Sequence, residues 1–260
     1  MPCLAPIKSG FLQNLQVIGG HQVFVLPSVD STNNYATKLL RSANIASGTV
    51  ILSYSQLQGK GQRGQVWESE PGKNLTLSMV ISKPQIDSKS QFYLNKAIAI
   101  ALRHFVYNLT NKPTSIKWPN DILVEEQKIA GILIENAWQQ QKVQHSIIGI
   151  GININQTTFE NFQATSVASH IGHQSDLMEC LGNLLESIDV WLNMVQRQAF
   201  QEIEAEYHTH LFGLQTSTKF LAQGKYFDAK ILGVTEDGKL LLESNQQRKK
   251  YDLKELKFIY

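Results

Sequence analysis

Residues 59–64 have the sequence GKGQRG, which strongly constrains how this chain can fold. The pattern matches the GxGxxG motif of dinucleotide-binding folds, in which the glycines join a strand to a helix whose N-terminus holds a pyrophosphate. A strand-like segment, residues 48–56, precedes the motif. No helical segment follows it, because Pro71 and Gly72 come within eight residues of Gly64 and residues 74–82 alternate like a strand. The sequence therefore predicts a glycine-rich loop between two strands and not a dinucleotide fold.

The remaining pattern mixes strands and helices without regular βαβ alternation. A strand is expected at residues 22–26, followed by a helix that begins near Thr32 or Asn33. A long apolar-faced helix is expected at 90–110, two or three short strands at 114–138, another strand at 142–155 and mainly helix from 167 to 212. This order predicts an α+β fold with a mixed sheet and flanking helices.

The chain changes character after Gly213. From residue 217 onward, β-favouring residues alternate with turn signals such as Gln223-Gly224 and Glu236-Asp237-Gly238. We therefore predict a large domain at residues 1–213 and a small antiparallel β domain at residues 214–260.

Composition narrows the class of protein. The hydrophobic share of 42% and the charged share of 18% are typical of a globular protein, and the net charge of +2 is too small to indicate nucleic-acid binding. Neither a signal peptide nor an apolar run long enough to span a membrane is present. Two cysteines, Cys3 and Cys180, indicate a reducing, cytoplasmic setting. The seven histidines show no spacing that predicts a metal site beyond the loose pairs His170/His173 and His208/His210.

The glycine-rich loop carries positive charge. Lys60 and Arg63 lie among Gly59, Gly61 and Gly64, so the backbone can approach a ligand closely while the cations bind an anion on it. The alternative is a solvated hairpin tip. Trp67, which follows the loop, favours a packed or ligand-covering segment.

A second polar segment is KWPND, residues 117–121. Pro119 fixes its own backbone and restricts Trp118, so the polar groups on either side are held in place. Asn120 and Asp121 are candidates to bind ribose hydroxyls or a magnesium ion, although Asn-Asp after proline is also a common turn.

Two further segments combine glycine with polar residues in apolar strands. Lys128 enters the strand KIAGILIE, in which Gly131 indicates close approach of a ligand or neighbour, but a lysine there can also extend along the surface to water. The segment GIGININ places Gly149 and Gly151 before Asn153.

Together these segments resemble the catalytic and small C-terminal domains of the biotin protein ligase family. The resemblance is carried by DSTN at 30–33, Gln56, GKGQRGxxW at 59–67, KWPND at 117–121, KIAGILIE at 128–135, GIGIN at 149–153 and ATSV at 164–167. It implies a class II synthetase-like catalytic domain followed by an SH3-like barrel.

The resemblance also implies a two-step reaction and the roles of individual residues. Biotin and MgATP form biotinyl-5'-AMP, and a lysine of a biotin carboxyl carrier domain then takes the biotinyl group. Lys128, Lys60 and Arg63 are implied to stabilise the charge that develops at the α-phosphorus. The implied biotin-binding residues are Ser31, Thr32, Gln56, Gly59, Lys128, Gly131 and Gly149. The implied ATP-binding residues are Lys60, Gln62, Arg63, Trp67, Lys117, Asn120 and Asn153, with Asp121 as a candidate metal ligand.

Two departures from the family pattern bear on function. Many members have GRGRxGRxW, whereas this chain has Lys60, Gln62 and Gln65 in place of arginines, so it lacks their bidentate forks. Only some 25 residues precede the catalytic pattern, so the N-terminal DNA-binding domain of biotin repressors is not expected. The alternatives are a lipoate ligase or octanoyl transferase, or a non-catalytic biotin-binding protein, and the sequence leaves open whether the chain is a monomer or a homodimer.

Overall fold

The computed structural model describes residues 15–84, 86–160 and 163–259; Cys3 lies outside these ranges. Within them, eight strands form one mixed sheet in the order β1-β2-β3-β4-β8-β7-β6-β5. The strands are β1 Leu15–Ile18, β2 His21–Leu26, β3 Thr49–Ser53, β4 Leu75–Ser82, β5 Thr114–Lys117, β6 Asp121–Val124, β7 Gln127–Gln139 and β8 Lys142–Ile152. The pair β2–β3 is parallel and the other neighbours are antiparallel. The predicted α+β class is confirmed.

Helices cover both faces of this sheet, and the strand residues alternate between two apolar cores. In β2, Phe24 packs in a core under helix α1 (Thr32–Ser42), whereas Val23 and Val25 pack on the opposite face. That face is covered by α2 (Gln91–Thr110) and α4 (Leu177–Gln196), with α3 (Val167–Ile171) and α5 (Phe200–Thr209) nearby. Successive strand residues therefore point to opposite faces of the sheet, and the helices on both faces complete a three-layered domain.

Side chains and backbone conformation explain where the long helices begin and end. Asp176 caps α4, since its Oδ1 accepts hydrogen bonds from the amides of Met178 and Glu179. Helix α2 ends at Asn111, whose φ of 50° is left-handed, as is usual for a helix C-terminus that lacks glycine. No helix among the described residues is both long enough and apolar enough to cross a membrane.

In the described part of the chain, the last five strands form a separate antiparallel sheet in the order β12-β11-β10-β9-β13. They are β9 Ser217–Ala222, β10 Lys225–Val234, β11 Leu240–Ser244, β12 Gln247–Tyr251 and β13 Lys257–Ile259. This small sheet follows the last helix, as predicted. Its buried residues, such as Phe220 and Ile231, belong to the same continuous core as α2 and α4, so the division between residues 213 and 214 stays a prediction.

Polar contacts fix the small sheet against the helices. The fully buried Lys96 on α2 pairs with Glu204 on α5, and its ammonium also lies 3.3 Å from the Val234 carbonyl oxygen. His208 Nε2 accepts a hydrogen bond from the Val234 amide at 2.9 Å. Because Lys96 is buried, Glu204 and the Val234 carbonyl satisfy a charge that would otherwise be costly in the core.

Candidate active site

A cavity of about 430 Å³ lies where the glycine-rich loop, the strands β5 to β8 and the small sheet meet. Twelve of the predicted site residues line it: Ser31, Thr32, Gln56, Lys60, Gln62, Trp67, Lys117, Asn120, Asp121, Lys128, Gly131 and Gly149. A larger cavity of about 1560 Å³, lined by the start of α2, the start of β8 and the first turns of α5, contains none of the predicted site residues.

One end of the cavity carries a network of neutral polar groups at the start of α1. Gln56 Oε1 accepts hydrogen bonds from the Thr32 amide at 2.8 Å and from Thr32 Oγ1 at 3.1 Å. Ser78 Oγ lies 2.7 Å from Thr32 Oγ1 and 2.5 Å from Asn33 Oδ1. Asn33 Nδ2 donates to Glu135 Oε2 at 2.6 Å. The network holds buried hydroxyl and amide groups in fixed orientations.

Gly149 lies against this network, and its position leaves no room for a larger side chain. A β-carbon at position 149 would lie 2.6 Å from Asn33 Oδ1 and 3.1 Å from the Leu133 carbonyl oxygen. Asn33 and the Leu133 carbonyl therefore approach the backbone of Gly149 closely, and only glycine leaves room for them.

The glycine-rich loop folds into a narrow hairpin. The Gly61 amide donates to the Gln65 carbonyl at 2.7 Å, and the Trp67 amide donates to the Gly59 carbonyl at 3.0 Å. A β-carbon at Gly59 would lie 2.6 Å from the Trp67 carbonyl oxygen, so glycine is needed for the hairpin to close. Gly59 therefore shapes the loop and does not line the cavity.

Trp67 returns from the loop into the cavity. Its indole packs on the backbone of β7 and β8, where β-carbons at Gly131 and Gly151 would lie 3.2 Å and 2.3 Å from ring atoms. Lys128 Nζ lies 5.5 Å from the indole centroid, within the range of a cation–π interaction. Two of the three glycines in the β7 and β8 motifs thus make room for this ring.

The cationic end of the cavity is formed by Lys117 and Lys128. Lys128 Nζ pairs with Asp121 Oδ1 at 2.7 Å across the β6–β7 hairpin. Burial lowers the pKa of Lys117, an effect that the Asp121 carboxylate opposes and the Lys128 charge reinforces. Lys117 Nζ also lies 5.4 Å from the Phe258 ring of β13. The two ammonium groups therefore face the same cavity with one carboxylate between them.

Two of the predicted ligand-binding residues, Asn120 and Asn153, make hydrogen bonds within the protein, and the side chain of a third is not described. Asn120 Nδ2 donates to the Ile132 carbonyl at 2.6 Å, which holds the KWPND turn against β7. Asn153 is buried away from the cavity and donates to the Thr165 carbonyl, while its Oδ1 has no partner among the described residues. The side chain of Arg63 lies outside the described part of the structure.

The candidate magnesium ligand of the cavity is Asp121. Asp121 is paired with Lys128, and the described residues bring no group of three carboxylates or histidines together at this cavity. Mg²⁺ prefers carboxylates together with substrate phosphates, so an ion here is expected to accompany the triphosphate. Asp121 as a metal ligand stays a prediction.

The sequence did not identify several cavity residues. Asn33 belongs to the DSTN motif and was a candidate only for the helix start. Ser78 lies in no motif, and Glu135, the last residue of KIAGILIE, was assigned no role; both hydrogen-bond to Asn33 without lining the cavity. The small sheet contributes Leu253, Leu256, Lys257 and Phe258 to the lining. No local pattern reveals that these four residues face the cavity, because they reach it only through the packing of one sheet against the other.

Comparisons with known proteins agree with this arrangement. The model of the biotin/lipoate A/B protein ligase family matches residues 25–153. The biotin-(acetyl-CoA-carboxylase) ligase of Paracoccus denitrificans is 30% identical over 188 residues, covering 69% of this chain and 76% of that protein. The bifunctional ligase/repressor BirA of Bacillus subtilis is 29% identical over 243 residues, covering 90% of this chain and 73% of that protein.

A solved structure extends the match to the whole fold. The biotin protein ligase from Aquifex aeolicus in complex with biotin and ATP gives a TM-score of 0.76 at 25% identity, covering 91% of this chain and 98% of that one. The chain thus belongs to the biotin/lipoate A/B protein ligase family. Two of the relatives named above, from Paracoccus denitrificans and Aquifex aeolicus, are biotin ligases by name.

Proposed function

We propose that this chain is a biotin protein ligase, which activates biotin with ATP and transfers it to a lysine of a biotin carboxyl carrier domain. One observation carries the proposal: a single cavity has neutral hydrogen-bonding groups at one end and the ammonium groups of Lys117 and Lys128 at the other. Biotin has the same polarity, with an uncharged ureido ring and a terminal carboxylate. The similarity to a biotin protein ligase that binds biotin and ATP supports the assignment.

The neutral end suits the ureido group. Ser31, Thr32 and Gln56 offer hydroxyl and amide groups there without net charge. Leu77, Ile132 and Leu133 line the cavity as well and offer apolar surface to the rest of the biotin ring. A site that fixes polar groups in this way rejects an analogue that leaves them unpaired.

The cationic end suits the activation step. A biotin carboxylate oxygen attacks the α-phosphorus of ATP, the bond to the β-phosphate oxygen breaks, and pyrophosphate leaves. No protein nucleophile is needed, so positioning and charge stabilisation carry the step. We assign Lys128 to the carboxylate and α-phosphate, with Asp121 holding its ammonium group in place. Lys117, Lys60 and Arg63 are assigned to the phosphates, and Trp67 and Gln62 to the nucleotide side.

The transfer step uses the carrier amine. The ε-nitrogen of the carrier lysine attacks the acyl carbon of the adenylate, AMP leaves, and an amide forms. Water would compete for the same carbon, so the hairpin at residues 59–67 is proposed to close over the adenylate. We expect residues 58–70 to gain protection from hydrogen exchange when the adenylate is bound, and equal protection in both states would contradict this role.

The proposed setting is the cytoplasm, where carboxylases and ATP are found. Homodimer formation through a sheet edge stays a prediction. The edges of the large sheet are β1 and β5, and sedimentation of the purified chain with and without biotin and ATP would test it.

The direct test is incubation with biotin, radiolabelled ATP and a biotin carrier domain. We expect label to appear in the adenylate and biotin to appear on the carrier. Lys128→Ala should lower both products, whereas Lys225→Ala, at an exposed position in β10 outside the cavity, should lower neither. A wild-type chain that makes no adenylate and modifies no carrier would refute the proposal. Replacing biotin with lipoate in the same assay tests the alternative within the family.

A further inference from the structure

Three side chains outside the cavity converge, two from the end of α5 and one from α2, about 100 residues earlier in the chain. His104 lies on α2, Glu206 lies on α5 and His210 follows the end of α5. Glu206 Oε1 is 2.8 Å from His104 Nε2 and 3.1 Å from His210 Nε2. None of the three lines the cavity of about 430 Å³. The cluster is therefore separate from the proposed ligase site.

The geometry of the cluster is close to that of a metal site. Zinc is bound by histidine nitrogen at about 2.0–2.1 Å and by carboxylate oxygen at about 2.0–2.2 Å, so neighbouring ligand atoms of a tetrahedral site lie about 3.4 Å apart. The ligand atoms of His104, Glu206 and His210 all lie within 4.8 Å of one another. To reach that spacing, Glu206 Oε1 would have to move about 0.6 Å away from His104 Nε2 and about 0.3 Å away from His210 Nε2.

The cluster is accessible and its donor set suits a divalent transition metal. The side chains of His104, Glu206 and His210 are 32%, 31% and 22% exposed, so an ion can reach them from solvent. Two imidazoles and one carboxylate form the ligand set of several zinc enzymes, in which water takes the fourth position. A hard cation such as Mg²⁺ would favour oxygen ligands instead.

We propose that His104, Glu206 and His210 form a binding site for a divalent transition metal ion of the zinc type, with water completing the coordination. An ion there would join α2 to the end of α5. The His210 carbonyl accepts a hydrogen bond from the Ile116 amide at 2.8 Å, and the Phe212 amide donates to the Ile116 carbonyl at 2.8 Å. Ile116 immediately precedes Lys117, so the ion would also brace the strand that leads to the KWPND turn.

The test uses the full chain and metal ions alone, without biotin or ATP, so its outcome is independent of the ligase activity. The metal-free chain is dialysed against Zn²⁺ and the bound metal is counted, and Co²⁺ is added separately for its visible spectrum. We expect one ion per chain, a cobalt spectrum typical of nitrogen and oxygen ligands, and a higher thermal midpoint with Zn²⁺.

Variants assign the ion to the cluster. His104→Ala, His210→Ala and the shape-preserving Glu206→Gln should each lower zinc affinity at least tenfold, whereas His173→Ala, at an exposed histidine of the chain, should not. Three results would overturn the proposal: no zinc bound by the wild-type chain, binding that persists in the His104→Ala/His210→Ala double variant, or a cobalt spectrum dominated by thiolate charge transfer. The cobalt spectrum of the wild-type chain decides the question even if a variant does not fold.

Discussion

Replacing Gly151 with alanine should impair adenylate formation through Trp67. A β-carbon at position 151 would lie 2.3 Å from Trp67 Cε2, 2.6 Å from Cζ2 and 2.7 Å from Nε1, whereas ordinary contacts begin at 3.4 Å. The indole must therefore retreat by about 1 Å or more, since the strand backbone is fixed by its pairing with Thr76 and Gly131 on both sides.

The size of the effect follows from the precision that the activation step needs. A misplacement of about 1 Å in a positioning group can cost about 10²-fold in rate, which corresponds to about 2.7 kcal/mol in the activation free energy. Trp67 lies beside Lys128, so its retreat also disturbs the cation that faces the reacting groups. We expect kcat/KM for biotinyl-5'-AMP formation to fall by about 10²-fold.

The assay is biotin-dependent exchange of labelled pyrophosphate into ATP. Tryptophan emission is recorded for the wild-type and Gly151→Ala chains, each with and without Trp67→Phe, so that the difference reports Trp67 while Trp118 keeps its hydrogen bond to the Gly238 carbonyl. The matched control is Gly182→Ala on α4, where the nearest heavy atom to a new β-carbon, among the described residues outside that helix turn, is Ile18 Cγ2 at 3.9 Å. Exchange in the Gly151→Ala variant at the wild-type rate, with unchanged emission, would show that the indole does not need this position. A loss of activity in the Gly182→Ala variant as well would point to a general loss of folding.

Three further predictions concern charged and titratable groups. Asp121→Asn should lower kcat more than it changes the KM for biotin, because the Lys128 ammonium group is then held less firmly. An unchanged kcat in steady-state assays would oppose this role. Lys96→Met should destabilise the fold by about 2–4 kcal/mol in urea unfolding, since buried carbonyls lose their donor, and wild-type stability would contradict it. Burial lowers the pKa of His208, and the Glu204 charge opposes this effect. The contribution of neutral His208 to the stability of the fold should therefore be complete above about pH 6.5 and be lost as the pH falls below it. His208→Gln should flatten that pH dependence.

The sequence predicts the β6–β7 part of the site well because its geometry is local. The Glu-Glu tip at residues 125–126 has φ values of 48° and 71°, the conformation of a tight hairpin turn, and it sets Leu123 opposite Lys128. A one-residue register shift between Ile122 and Leu123 then places Asp121 opposite Gly131. That register brings Asp121 to Lys128. A motif of a few residues on either side of a two-residue turn therefore fixes a contact that the chain then uses in the cavity.

Contacts between distant segments could not be predicted from the sequence. Asn33 meets Glu135 across 102 residues, and His104 meets Glu206 across the same separation. Such pairs depend on which helix packs on which strand, and spacing within one motif carries no information about that choice. For this reason the histidines look isolated in the sequence although His104 and His210 share one carboxylate oxygen in the structure.

The tryptophans of the two motifs GKGQRGxxW and KWPND have different partners. The partner of the second one connects the small sheet to the cavity. Trp67 packs on the glycines of β7 and β8, whereas Trp118 donates from Nε1 to the Gly238 carbonyl of the small sheet at 2.8 Å. Lys117, next to Trp118, lies against Phe258 of β13. A displacement of the small sheet is therefore expected to shift Lys117, which we assign to the phosphates, through two contacts.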